Sequence, residues 1–169
     1  MKNNILKFRN SDLNYFKSGK GKALVLVHGF TESSAIYMDF EKNLSEEFLL
    51  IIPDLPGHGK SQLPQNLDMD LMGDYINQIL EAENIKECVI VGHSMGGYAA
   101  LNFAEKYPEK CKSLCLFHSS ARADSFEIKE NRNRTIDIIK NNKTGFLNNF
   151  IPSLFAENRK EELKLQIEE

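Results

Sequence analysis

The sequence predicts an α/β protein built on a mostly parallel sheet. Three observations carry that expectation. Continuous apolar runs recur at Ala23-Leu24-Val25-Leu26-Val27, Phe48-Leu49-Leu50-Ile51-Ile52 and Cys88-Val89-Ile90-Val91, as expected of strands covered on both faces. Segments of helical periodicity separate these runs. A glycine-bearing segment, not a tight hairpin, follows each run: His28-Gly29-Phe30, the loop from Pro53 to Ser61, and Gly92-His93-Ser94-Met95-Gly96. Buried strands alternating with helices imply parallel neighbours joined by right-handed crossovers.

The elements follow in order. Ile5 to Phe8 and Leu13 to Lys17 read as two short strands, with Asn10-Ser11-Asp12 as the turn signal between them. Gly19-Lys20-Gly21 breaks the chain before the Ala23 strand. Ser33-Ser34 caps a helix to about Ser45, and the Phe48 strand follows. Asp68 or Asp70 caps the next helix, whose Leu71, Met72, Tyr75, Ile76, Ile79 and Leu80 recur at helical spacing. The Cys88 strand leads through Gly92–Gly96 into a helix that Pro108 stops. Ser113 to Phe117 is the last strand and ends in His118-Ser119-Ser120.

After Ala121 the character changes. Phe126 to Lys140 reads as a charged helix. Phe146, Leu147, Phe150, Ile151, Leu154 and Phe155 form an apolar patch. Arg159 to Glu169 reads as a final charged helix with Leu163 and Ile167 on one face. The expected division is therefore 1–121 for the sheet-bearing part and 122–169 for a helical segment.

Composition narrows the function. A formal net charge of −3 over 169 residues offers no basic surface for nucleic acid. The longest apolar runs are strand-sized, far short of the roughly 20 residues of a membrane span. Met1-Lys2-Asn3-Asn4-Ile5 leads into a strand and lacks the pattern of a signal peptide, which points to the cytoplasm. Cys88, Cys111 and Cys115 are odd in number and lack C-x-x-C spacing. They read as small core residues in a reducing compartment, with no metal or cofactor expected.

Three motifs fall at three strand ends: His28-Gly29-Phe30, Gly57-His58-Gly59-Lys60-Ser61, and Gly92-His93-Ser94-Met95-Gly96-Gly97. In an open parallel sheet, ligands bind beyond the carboxyl ends of the strands. The third motif has the strand, G-x-S-x-G, helix context of a nucleophile elbow, with glycines leaving room around a tight turn. Over about residues 5–120 the set closely resembles the α/β-hydrolase family, especially its small esterase-like members. The resemblance implies that Ser94 is the nucleophile and that the backbone N–H groups of Phe30 and Met95 form the oxyanion hole. It also implies that the segment from about Asp124 begins a helical cap. The chemistry agrees: a neutral serine needs a base to take its proton, and the developing oxyanion needs fixed donors.

The remaining candidates border the pocket. His28 precedes the oxyanion residue and braces its loop beside Gly29. His58 orders its own loop. His93 adjoins the nucleophile with its side chain turned away. His118 ends the neighbouring strand and is placed to line the pocket. In this family the triad runs Ser, then Asp or Glu, then His. No such ordered pair follows Ser94: Glu105 and Glu109 lie on or just after the helix leaving the elbow, and no histidine follows Asp124. The expectation is an N-terminal piece of a longer enzyme whose triad acid and base lie past residue 169, so that the sheet is incomplete at its C-terminal side.

The parent activity expected is hydrolysis of an ester, thioester or related small acyl substrate with an apolar portion, without a cofactor. The alternatives are a C–C hydrolase or lyase, a perhydrolase, or a non-catalytic binding module that keeps the pocket. The outer edge of the Ser113–Phe117 strand is expected to be covered by the helical segment, by a missing piece or by a second copy, since bare edges invite association.

Overall fold

The apolar runs become neighbouring strands of one sheet. The computed structural model describes residues 2–165, and six strands pair within it. These are β1 (Lys2–Phe8), β2 (Ser11–Ser18), β3 (Lys22–Val27), β4 (Phe48–Pro53), β5 (Cys88–His93) and β6 (Cys111–Phe117). Their order across the sheet is β1-β2-β4-β3-β5-β6. β1 and β2 are antiparallel additions at one side, while β4, β3, β5 and β6 run parallel.

The hairpin between β1 and β2 is tighter than the sequence reading expects. Phe8 faces Ser11 across a two-residue loop. Arg9 and Asn10 both take positive φ, 45° and 64°. That is the backbone sign pattern of a primed hairpin turn, which matches the twist of its strands. The expected turn residues Ser11 and Asp12 already belong to β2.

Alternation along β3 sorts the core into two layers. Ala23, Val25 and Val27 face one side with Leu13, Tyr15, Ile51, Cys88 and Ile90. Helix α2 (Met69–Ala82) and helix α3 (Met95–Lys106) cover that side with Leu71, Tyr75, Ile76, Ile79, Leu80, Ala99, Ala100 and Phe103. Leu24 and Leu26 face the other side with Leu50, Ile52 and Tyr37. A 3₁₀ turn (Ser34–Tyr37), capped by the Ser33 hydroxyl, leads there into α1 (Met38–Leu44). Asp68, one of the two expected caps, accepts the Leu71 N–H at 2.7 Å and starts α2. Seating on the sheet outweighs intrinsic helix preference in keeping these short helices in place.

β6 forms the outer side of the sheet. α3 packs toward its Leu114 and Leu116 side, while Ser113, Cys115 and Phe117 on the other face are exposed. This corrects the expectation that all three cysteines are core residues. Cys88 is buried and its thiol is pushed up to about 12 by that burial. Cys111 is half-buried, and Cys115 falls on the uncovered face of the edge strand.

Contacts divide the chain between Ala121 and Arg122. The second unit holds α4 (Phe126–Asn141), capped by the Ser125 hydroxyl, and α5 (Lys143–Ser153), capped by Asn142. Phe146 and Phe150 stack within α5 at 5.1 Å. The expected final helix begins as a 3₁₀ turn at Glu157–Arg159. Leu163 is half-buried, and Ile167 lies outside the described residues.

Phe103 joins α3 to the sheet with no exposed surface, whereas Phe40 on α1 is mostly exposed. Phe103→Ala is expected to cost about 3–5 kcal/mol, and Phe40→Ala to stay within about 0.5 kcal/mol. Urea unfolding of both variants checks the contrast.

Candidate active site

The carboxyl ends of β3, β4, β5 and β6 carry loops that meet around Ser94. β5 turns into α3 within that single residue, which adopts φ 50° and ψ −117°. A non-glycine residue with this positive φ is strained, and such strain collects at functional sites. The turn is held from several sides. The Ser94 N–H donates to the Phe117 carbonyl oxygen at 3.0 Å, and the Ser94 carbonyl accepts from the Gly97 N–H and the Ser119 hydroxyl. Missing side chains make room for it. A Cβ on Gly92 would lie 2.5 Å from the Gly96 carbonyl oxygen, and one on Gly96 would collide with the carbonyl oxygens of Val27 and His28. The Ser94 hydroxyl makes no hydrogen bond among the described residues.

The β3 loop passes directly over the serine. A Cβ on Gly29 would sit 3.1 Å from Ser94 Cβ. Phe30 follows Gly29, and Met95 follows Ser94. Neither the Phe30 N–H nor the Met95 N–H has an acceptor among the described residues. Met95 opens α3, so its free N–H is one of the orphan donors at the positive end of a helix. An unpaired hydroxyl thus adjoins two segments that each carry an unpaired donor.

The histidines divide by their bonds. His28 is fully buried, its Nε2 accepts the Leu55 N–H at 2.9 Å, and its Nδ1 lies 2.8 Å from the Gly29 carbonyl oxygen. A ring accepting at Nε2 carries its proton on Nδ1, which donates to Gly29. Burial pushes its pKa down, and the Leu55 bond needs the neutral form. His28 therefore ties the β3 loop to the β4 loop, with both nitrogens committed. The His58 ring lies tilted beside it, with centroids 5.2 Å apart, and holds the Pro56 carbonyl at 3.1 Å. His93 does not point at Ser94 Oγ; its Nδ1 lies 2.8 Å from Glu32 Oε2, and its ring tilts on Phe117. His118 is exposed at the end of β6, takes a positive φ of 48°, and lies edge-on to Phe117 at 4.6 Å. Asp124 belongs to the second unit, where Arg132 holds its carboxylate at 2.6 Å.

Two acidic residues that sequence reasoning passed over shape the site. Glu32 accepts from Gly29 and pairs with His93. Asp54 is buried at the end of β4 and accepts from the Asn14 amide and from the N–H groups of Ser34 and Lys60, all within 3.0 Å. Burial by itself would raise the Asp54 carboxyl; the donors from Lys60, Ser34 and Asn14 outweigh it and hold the group below its ordinary value. The spacing of Asp54 from Gly57 and Gly59 was the available signal, because a carboxylate beside a glycine-rich loop is suited to collecting its N–H groups.

Comparison with known proteins decides the family. A family model of the α/β hydrolase fold matches residues 22–158. The chain belongs to the α/β-hydrolase family. This hydrolase-fold chain is 32% identical to a thermophilic esterase from Thermogutta terrifontis, with TM-score 0.83 over 94% of this chain and 59% of that one. It is 30% identical over 125 residues to cis-3-alkyl-4-alkyloxetan-2-one decarboxylase of Shewanella oneidensis, covering 71% of this chain and 39% of that protein. It is 33% identical over 104 residues to pimeloyl-[acyl-carrier protein] methyl ester esterase of Chromobacterium violaceum, covering 62% and 39%. The chain thus spans well under half the length of these two curated relatives. No described helix of the α/β-hydrolase chain is long and apolar enough to cross a membrane.

The Asp54 network yields a pH prediction. A carboxyl held below its unfolded pKa stabilises the fold fully above that value and loses the contribution as pH falls through the folded one. Asp54→Asn is expected to cost about 1.5–3 kcal/mol at neutral pH, the range for hydrogen bonds to a charged group. The gap from wild type should hold between about pH 7 and 5 and shrink below about pH 4. Denaturant titrations across that range measure it.

Proposed function

We propose that this chain carries the nucleophile and oxyanion hole of a serine hydrolase acting on a small ester, thioester or related acyl substrate. One observation carries the reading. Ser94 sits in a strained strand-to-helix turn with its hydroxyl unpaired, beside two segments whose Phe30 and Met95 N–H groups are also unpaired. Family membership and the esterases among the relatives support it.

In this mechanism Ser94 Oγ attacks the substrate carbonyl carbon. The carbonyl electron pair moves onto oxygen, where the two N–H groups stabilise the charge. The tetrahedral intermediate collapses to an acyl-serine and expels the leaving group, and water then releases the acid. A general base must take the serine proton. None of the four histidines here is hydrogen-bonded to Ser94 Oγ, and the proposal gives that role to none of them. His28 and Gly29 shape the floor of the pocket, and His93 and His118 border it. The segment from Asp124 is read as the beginning of a cap. Its groove, lined by Ile138, Phe146 and Phe150 with a volume of about 360 Å³, supports a substrate with an apolar portion. The protein is read as cytoplasmic and without a cofactor.

A second reading is favoured by the similarity to the oxetanone decarboxylase. The site would then act as a lyase on a strained oxetanone ring, whose C2–C3 and O1–C4 bonds break to give carbon dioxide and an alkene, and detection of those two products instead of a hydroxy acid would identify it.

A fluorophosphonate probe tests the nucleophile. Mass spectrometry of the natural full-length protein is expected to find the label on Ser94 alone, and Ser94→Ala to abolish it with a loss of turnover of about 10⁶-fold. Labelling elsewhere, or unchanged turnover, contradicts the reading; absence of any label favours a binding module. The 169-residue chain by itself is expected to fall far below the roughly 10 s⁻¹ typical of enzymes when assayed with p-nitrophenyl esters.

A further inference from the structure

Glu32 occupies a position that the reaction above does not explain. Its Oε2 accepts the Gly29 N–H at 2.6 Å and lies 2.8 Å from His93 Nδ1. One carboxylate oxygen therefore joins the loop after β3 to the last residue of β5, the residue before Ser94. We propose that Glu32 is a positioning residue that sets the Phe30 N–H against Ser94. The inference rests on the reading of Phe30 and Met95 as oxyanion donors.

The local geometry shows how the clamp works. The loop leaves β3 at Val27 and is fixed at once by His28, whose ring is bonded to Gly29 and Leu55. Thr31 then takes a positive φ of 63°, and its hydroxyl donates to the Phe30 carbonyl at 2.6 Å. That reversal brings Glu32 back over Gly29, closing a four-residue ring through the Gly29 N–H. Within the ring the Phe30 carbonyl is occupied, and the Phe30 N–H has no acceptor among the described residues. The ring is pressed onto the elbow: a Cβ on Gly29 would stand 2.9 Å from Glu32 Oε2, 3.1 Å from Ser94 Cβ and 3.2 Å from His93 Nδ1. The three groups therefore converge on one backbone atom. Glu32 and His93 are each about one-fifth exposed, so the carboxylate does not require a buried charge. An oxyanion donor is effective only when held where charge develops, and groups fixed by a supporting hydrogen-bonded shell keep such positions best.

The test uses three substitutions in the natural full-length protein and two readouts. Glu32→Ala removes the clamp. Glu32→Asp keeps the charge but is one methylene too short to hold both donors. Glu32→Gln keeps an acceptor oxygen at the same reach. The second-order rate of fluorophosphonate attachment to Ser94 is expected to fall about 10- to 100-fold for Ala and Asp, less than full loss of an oxyanion donor, and to recover with Gln. In ¹⁵N-labelled protein, the Gly29 amide proton should shift upfield with Ala and stay in place with Gln. A residue that only supports the fold would lower the melting temperature while leaving the labelling rate of the folded variants at the wild-type value, and that result overturns the proposal. So does an unmoved Gly29 resonance in Glu32→Ala. If the wild type takes no label at all, the Ser94 reading fails, and the clamp is decided by the Gly29 resonance.

Discussion

The turn at Ser94 is the constraint on which the rest of the structure depends. A parallel strand must become a helix within one residue, and that residue is not glycine. The backbone takes φ 50° there, at a cost of about 1–3 kcal/mol. The strain persists because its surroundings leave no alternative. β6 accepts the serine N–H, Ser119 and Gly97 bond the serine carbonyl, and Gly92 and Gly96 admit close backbone approaches around the turn. Any side chain at Gly96 would push α3 away from the ends of β3. The glycines are therefore part of the packing between α3 and the sheet as much as part of the turn.

Around that turn the loops are fixed by polar groups, because loops have no apolar face to bury. His28 spans two of them as a neutral ring, and Asp54 gathers donors from three segments. Each of these residues is buried and fully bonded, which makes it costly to remove and unsuited to proton transfer. The Ser94 hydroxyl and the Phe30 and Met95 N–H groups, by contrast, have no partner among the described residues.

Much of this was legible in the sequence because it is written locally. The apolar runs at Ala23, Phe48 and Cys88 mark buried strands by composition alone, and the glycines around Ser94 mark the tight strand-to-helix turn by spacing. The Asp68 cap and the α2 stripe from Leu71 to Leu80 follow from helical period. What was not legible depends on partners distant in the chain. Glu32 matters because His93 lies 2.8 Å away across 61 residues. Asp54 matters because Asn14 and Ser34 reach it from other elements. Cys115 looked like a core residue because its run is apolar, yet among the described residues its strand pairs with β5 alone and its face is exposed. The Arg9-Asn10 turn was displaced because Ser11 and Asp12 resemble turn residues but pair as strand.

The most direct test of the account is the stability of two substitutions at one backbone position. Glycine adopts φ 50°, ψ −117° without strain, while alanine bears the same penalty as serine. If the site is held against a strained turn, Ser94→Gly should be more stable than Ser94→Ala by about 1 kcal/mol in urea unfolding, the net of relieved strain and the added freedom of glycine in the unfolded chain. Equal stabilities, or a less stable glycine variant, would show that the turn is unstrained and would contradict the account.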